Sequence, residues 1–198
     1  MNSLYFDSAD FQSVRDNLAG LPDREKYRVR WYGDVSMPES ADPRLEIKTR
    51  SGRLGGKHVF RLETLSQDYY SLTMPKVSAA VSDKLLEQAN PDLGFAPALF
   101  PMLYVGYQRT YFQEPAGIRA TLDRQVRYRP VLSGDSPENF CGAMSGTDVG
   151  NNNVIAELKF PVEEKSRVSS MLRHLHLVPQ RHSKYLMGMA MSGVATYI

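Results

Sequence analysis

Arginine and lysine recur at every second position in short runs along this chain, and several of the runs hold a carboxylate as well. Arg28 and Arg30 flank Val29. Lys48 and Arg50 flank Thr49, with Glu46 in the same phase. Lys57 and Arg61 share a phase. Arg109 stands two residues from Tyr107 and from Tyr111. Arg119, Thr121 and Asp123 alternate with Ala120 and Leu122, and Glu157 and Lys159 alternate with Ala156, Leu158 and Phe160. On a β-strand a period of two puts each set on one side. The guanidinium group is a planar fork that donates two charge-assisted bonds to a pair of oxygens, so such a face suits phosphate. Carboxylates among the cations fit a divalent ion too, because Mg²⁺ or Mn²⁺ takes oxygens from one or two carboxylates plus phosphates.

The plain alternative is a solvated sheet face, since half-buried antiparallel strands alternate polar and apolar residues anyway. A merely solvated face mixes both signs with Thr and Ser. Here Arg and Lys dominate, and like charges opposed across neighbouring strands repel unless an anion neutralises them. Of the 22 Asp and Glu residues, only Glu46, Glu63, Asp123 and Glu157 fall inside strand-like runs. The formal net charge of +2 therefore hides a segregation of basic sheet face from acidic periphery.

The elements that must position these residues are mostly strands. Runs rich in β-branched and aromatic residues predict strands over 3–6, 27–32, 44–50, 57–62, 104–112, 117–123, 126–129 and 154–160, with SGRLGG at 51–56 as a hairpin turn. Helices are predicted over 11–19, capped by Asp10 and stopped by Gly20, over 82–89, and over 162–175. In the last, Val168, Met171, Leu172 and Leu175 form one apolar stripe and Pro179 closes the segment. The stretch 133–153 is rich in Gly, Ser, Asn and Asp and reads as a flexible loop or insertion. No linker or repeat divides the chain, so residues 1–198 are expected to form a single α+β domain, mainly β, with peripheral helices.

Several function classes are excluded or unsupported. Cys141 is the one cysteine, so there is no internal disulfide, and His58, His174, His176 and His182 make no zinc spacing. The most apolar stretch, 93–105, is broken by Pro97 and Pro101 and is too short for the roughly 20 residues a bilayer needs. The start has no basic region before an apolar run, so a cytoplasmic location is expected. Gly52 to His58 has glycines and a lysine without P-loop spacing, no GxGxxG, GxSxG, HExxH or CxxC occurs, and Ser183 beside Lys184 is a poor nucleophile and base pair. A small net charge and mixed-sign periphery argue against specific nucleic-acid binding.

Taken in order, SLYFDSADF at 3–11, YRVRWYG at 27–33, LEIKTR at 45–50, YQRTYF at 107–112, IRATLDR at 118–124, IAELKF at 155–160 and HSKY at 182–185 resemble the successive motifs of the VTC domain. This is the polyphosphate-polymerase domain of the triphosphate tunnel metalloenzymes, in the CYTH-like superfamily. The resemblance implies an antiparallel, tunnel-like barrel lined with Lys, Arg and Glu. Eukaryotic members polymerise inorganic polyphosphate from the γ-phosphate of ATP with a divalent metal, and relatives hydrolyse triphosphates or cyclise ATP. Family members carry a further strand before the SLYFD motif, so the tunnel is expected to lack its usual first strand.

Carried over by motif, Arg28, Arg30, Lys48, Arg109, Arg119 and Lys159 resemble the tunnel's phosphate ligands, and Lys184 a late basic residue that reaches the phosphates. Strand phase adds Arg50, Lys57 and Arg61, although KHVFR at 57–61 departs from the family's two basic residues one apart. Glu157 resembles the carboxylate that takes Mn²⁺ or Mg²⁺, with Glu46 and Asp123 as further candidates. Arg30, Lys48, Arg109 and Glu157 form the expected catalytic set. The expected partners are ATP or another triphosphate and inorganic polyphosphate, and a membrane-protein partner is left open. The implied activity is metal-dependent phosphoryl transfer that builds polyphosphate. Its rivals are a triphosphate hydrolase at the same site and a non-catalytic polyphosphate or inositol-phosphate binding module.

Overall fold

The computed structural model describes residues 1–33, 42–52, 54–63, 65, 73–88, 98–132, 135, 149–151 and 153–193. Its centre is an antiparallel sheet of eight strands: β1 (Asn2–Asp7), β2 (Arg24–Trp31), β3 (Arg44–Ser51), β4 (Leu54–Arg61), β5 (Phe100–Gln113), β6 (Arg119–Pro130), β7 (Val149–Asn151) and β8 (Ile155–Lys159). The spatial order is β4-β3-β2-β1-β5-β6-β7, and β8 pairs with the first half of β6. Among the described residues neither β4 nor β8 closes the ring, so the expected barrel is an open, curled trough. Even so, Lys48 on β3 lies close enough to β8 to feel Glu157 and Lys159.

Register decides what each face shows. Tyr5 opposes Arg28, Arg28 opposes Glu46, and Arg30 opposes Ser3 on one side and Arg44 on the other. These residues line the concave face. Their neighbours Leu4, Phe6, Tyr27, Val29, Trp31 and Leu45 point the other way, where they pack with Met74, Val77, Val81 and Leu85 of helix α2 (Met74–Gln88). Burying that apolar stripe anchors the convex side and leaves the concave side to the charges.

Helices α1 (Gln12–Leu18), α3 (Lys165–His174) and α4 (Lys184–Met191) complete the described elements, with a short 3-10 turn at Val162–Glu164 before α3. Helix α4, which periodicity alone did not reveal, sits on the concave side. Tyr185 and Met189 pack there with Tyr5, Leu103, Val105, Val126 and Tyr128. Gly188 permits the approach, since a Cβ at that position would come within 2.5 Å of Leu103 and of Tyr128.

Other expectations shift for identifiable reasons. The two runs at 117–123 and 126–129 are one strand, β6, carrying a bulge where Gln125 adopts φ 51. Helix α1 is not capped by Asp10, which pairs with Arg15. Instead the buried Asp7 accepts from the backbone N–H of Ser13 at 2.9 Å and of Val14 at 3.3 Å. Glu63 lies beyond β4, while Asp7 and Glu25 are in strands. Helix α2 starts eight residues earlier than periodicity predicts, at Met74 against Ser82. The predicted loop 133–153, with Cys141, lies outside the described residues apart from Asp135, β7 and Asn153, and so do Arg53 and 93–97.

Candidate functional site

The concave face gathers its charges into two clusters joined by tyrosines. In the first, Glu46 is the hub. Arg28 Nε donates to its Oε2 at 2.7 Å, Arg30 Nη1 lies 3.5 Å from the same oxygen, and the Lys57 ammonium contacts Oε1. Only 5% of the Glu46 side chain is exposed. Burial alone opposes a charge there, but Arg28, Lys57 and Arg30 outweigh it and hold the carboxyl down to about 2.

In the second cluster, Asp123 is the hub. Arg109 donates to it bidentately, Nε to Oδ1 at 2.5 Å and Nη2 to Oδ2 at 2.7 Å, and Lys184 Nζ is 2.5 Å from Oδ2. Burial works against ionisation of Asp123, and the bonds from Arg109 and Lys184 overcome it, so its carboxyl sits below the ordinary value. Both partners come from elements that the sheet brings together: Arg109 opposes Asp123 in the β5–β6 ladder, and Lys184 opens α4.

Tyr107 joins the two. Its hydroxyl accepts from Arg30 Nη2 at 3.1 Å, and its ring lies under the Arg109 guanidinium at 5.2 Å and the Lys184 ammonium at 4.8 Å. Tyr5 does the same on the Arg28 side, accepting from Nη1 at 3.1 Å while stacking on Tyr185 with ring centroids 5.1 Å apart. Burial disfavours a Tyr5 phenolate, yet Arg28, Arg30 and Lys184 together hold the phenol below its ordinary value.

Glu157 differs from the other two carboxylates. Its side chain is 41% exposed, and its partners, Lys159 Nζ at 3.3 Å and Arg109 Nη2 at 3.6 Å, are loosely placed. Burial pushes its carboxyl up, and Lys159, Arg109 and Lys48 pull it net below the usual range. Among the described residues no three His, Cys, Asp or Glu side chains cluster to hold a metal. Glu46 and Asp123 are enclosed by cations. A divalent ion fits here only with Glu157 as its open carboxylate and phosphate oxygens and water for the rest of its shell.

Lys48 also has no carboxylate within ion-pair distance among the described residues. Solvent reaches its tip, while the surrounding protein, Arg28 and Lys159 keep its ammonium below the ordinary lysine value despite Tyr5 and Glu157. It stands directly between Lys26 and Lys57 in the register, so three lysines lie in a row across β2, β3 and β4. Lys26 is the residue that motif reading passed over, although its spacing from Arg28 and Arg30 carried the signal. Its Nζ is 3.0 Å from Ser183 Oγ at the start of α4, and burial, with Arg24 and Lys48, lowers its pKa to about 8 against the pull of Tyr5 and Asp7.

The structure thus brings together Arg28, Arg30, Lys48, Lys57, Arg109, Glu157, Lys159 and Lys184. Three predicted ligands stand apart. Arg50 donates to the Gly52 carbonyl at 2.9 Å and lines a separate hollow of about 590 Å³ between α1 and the β2–β3 pair. Arg61 turns outward, 68% exposed and 3.7 Å from Asp42. Arg119 opposes Lys159 on the concave side but is exposed near the β5–β6 turn.

An antiparallel sheet that packs a helix on the outer face of β1, β2 and β3 and bears more cations than carboxylates on the inner one defines a class: an open β-trough with a basic lining. The VTC domain family profile matches residues 1–192, and the chain belongs to that family. Membership carries a polyphosphate-related function in general terms. No curated protein matches the chain. No helix among the described residues is long and apolar enough to cross a membrane.

Proposed function

We propose that the concave face carries out metal-dependent phosphoryl transfer, building inorganic polyphosphate from ATP. The observation that supports this most directly is the row Lys26–Lys48–Lys57 beside Arg28, Arg30, Arg109 and Lys184, where the enclosed carboxylates leave positive charge uncompensated. A terminal oxygen of the growing chain attacks the γ-phosphorus of ATP. A new P–O bond forms, the β–γ bridging bond breaks, and ADP leaves with its electron pair. Arg28, Arg30, Lys48 and Arg109 neutralise equatorial oxygens and hold donor and acceptor in line, which is most of what this chemistry asks of a protein. Tyr5, Tyr107, Glu46 and Asp123 fix the guanidinium forks, so little reorganisation accompanies the reaction. A Mn²⁺ or Mg²⁺ ion held by Glu157 and the phosphates would supply further charge neutralisation.

The open side of the trough and the lack, among the described residues, of a carboxylate cluster favour a second reading, a binding module for polyphosphate or an inositol phosphate. Incubation with ATP and Mn²⁺, followed by a gel that resolves polyphosphate, separates the readings. A ladder of chains is the expected result. Free phosphate without chains would mean triphosphate hydrolysis, and unchanged ATP with tight tripolyphosphate binding would mean a binding module.

A further inference from the structure

Helix α3 is fastened at one end and bare at the other. Near its start Val168 is 1% exposed, and Arg167 reaches Glu114 in the β5–β6 turn through bonds of 2.7 and 3.0 Å. Further along, the apolar stripe comes out into solvent, with Met171 41% and Leu175 57% exposed. The chain then folds back on itself. His176 N–H donates to the Arg173 carbonyl at 3.0 Å and Leu177 N–H to the Leu172 carbonyl at 2.9 Å, with His176 at φ 53. This is a Schellman turn closed by a histidine in left-handed backbone where glycine is usual, and its geometry carries Leu177 back toward Leu172. Leu177 and, beyond it, Val178 at 81% exposure extend the protruding apolar tip.

The charges in the segment that carries that tip have one sign. From Lys165 to Ser183 the sequence contains no Asp or Glu. Glu114 and Glu164 occupy Arg167. Among the described residues no carboxylate lies in ion-pair reach of Lys165, Arg173 or Arg181, and His174 and His176 lie between Arg173 and Arg181 in the sequence.

We propose that the end of α3 and the turn after it seat the protein on an anionic lipid surface. The apolar tip would enter the head-group boundary while the surrounding cations meet lipid phosphates, the two requirements of interfacial binding. Cations alone would suit free polyphosphate as well, and apolar side chains alone would suit many protein surfaces. Exposed Leu and Val within a carboxylate-free collar favour the lipid. The binding is separate from the chemistry of the concave face.

Flotation of the whole chain with phosphatidylcholine vesicles, and with equimolar phosphatidylcholine and phosphatidylglycerol, tests this in the presence of just enough tripolyphosphate to fill the concave face. The protein is expected to float with the anionic vesicles only. Leu175→Ser/Val178→Ser, which touches the tip, and Arg173→Glu/Arg181→Glu, which touches the collar, should each cut the bound fraction by roughly tenfold. Melting temperature and tripolyphosphate affinity should stay as in the parent. No flotation with anionic vesicles, as an acidic protein partner would require, overturns the proposal. So does flotation that tripolyphosphate abolishes, or flotation unchanged in both variants. Should one variant misfold, the other decides.

Discussion

The ammonium of Lys26 on β2 lies 3.0 Å from the hydroxyl of Ser183, across 157 positions of sequence. Ser183 is also the N-cap of α4, its Oγ accepting from the Leu186 N–H at 3.5 Å. The contact ties the edge of the lysine row to the positive end of a helix dipole, next to Lys184.

A lysine whose pKa falls to about 8 on folding binds its proton less tightly than in the unfolded chain. Its penalty on the empty protein is full below that pH, and it is relieved as pH rises from there toward the ordinary lysine value. An anion beside Lys26 favours the charged form, so tripolyphosphate affinity should fall as pH rises through about 8 in the free protein. Calorimetry in buffers of different ionisation enthalpy should show proton uptake on binding. Lys26→Arg should retain affinity and flatten this step. An unchanged pH profile in that variant would remove Lys26 from the site.

Arg30→Ala should weaken tripolyphosphate binding by about 1.5–3 kcal/mol, the scale of one charged hydrogen bond. Unaltered affinity by calorimetry would contradict the assignment. Because Lys48 and its neighbours repel one another in the empty trough, tripolyphosphate should raise the melting temperature well beyond sulfate at matched ionic strength. Equal shifts would indicate screening alone.

Glu46→Ala leaves Arg28 enclosed without its counter-ion and should cost about 3–5 kcal/mol of stability by denaturant unfolding. For the parent protein, the stability that Glu46 contributes is present above its ordinary carboxyl value and is lost as pH falls toward about 2. A Glu46→Ala protein as stable as the parent would show that the hub is not structural.

Glu157→Gln should behave differently. With turnover measured against Mn²⁺ concentration, activity should collapse, while metal-free tripolyphosphate binding survives or tightens because a repulsive charge has gone. A lower melting temperature with metal dependence intact would reassign Glu157 as a counter-ion to Lys159 and Arg109.

The strand phases are legible because β1, β2 and β3 bury one face against α2 and carry polar and charged residues on the other, and such alternation survives in the sequence whatever the partners are. Arg28, Arg30, Lys48, Arg109, Arg119 and Lys159 could therefore be placed on one surface before any geometry, and Arg119 alone of these lies out near the β5–β6 turn. What each contacts could not, because Glu46 and Asp123 become hubs only when strands far apart in sequence align. Arg50 and Arg61 share the phase of the others, but long side chains choose their own ends: one bends to its hairpin, the other to Asp42. Helix α4 was hidden because its buried face meets the concave sheet through Tyr185, Gly188 and Met189, a pattern too short to show a period. Asp10 looked like the cap of α1 by local spacing, whereas Asp7 is held in place by Tyr185 from the far end of the chain, at 2.8 Å.

The bulge at Gln125 sets a reading frame within β6. Before it, Thr121 and Asp123 face the trough, and after it Val126 and Tyr128 do, forming the seat for α4. Drawn out as an unbroken strand with all its residues kept, β6 would turn Arg127 and Arg129 inward and carry the tyrosine and valine to the opposite surface. The border between the wet and dry halves of the concave side is therefore set by the backbone conformation at Gln125 together with the composition of β6. Deletion of Gln125 would straighten the strand and keep these faces, whereas a residue inserted just after Val126 would turn Tyr128 to the opposite surface.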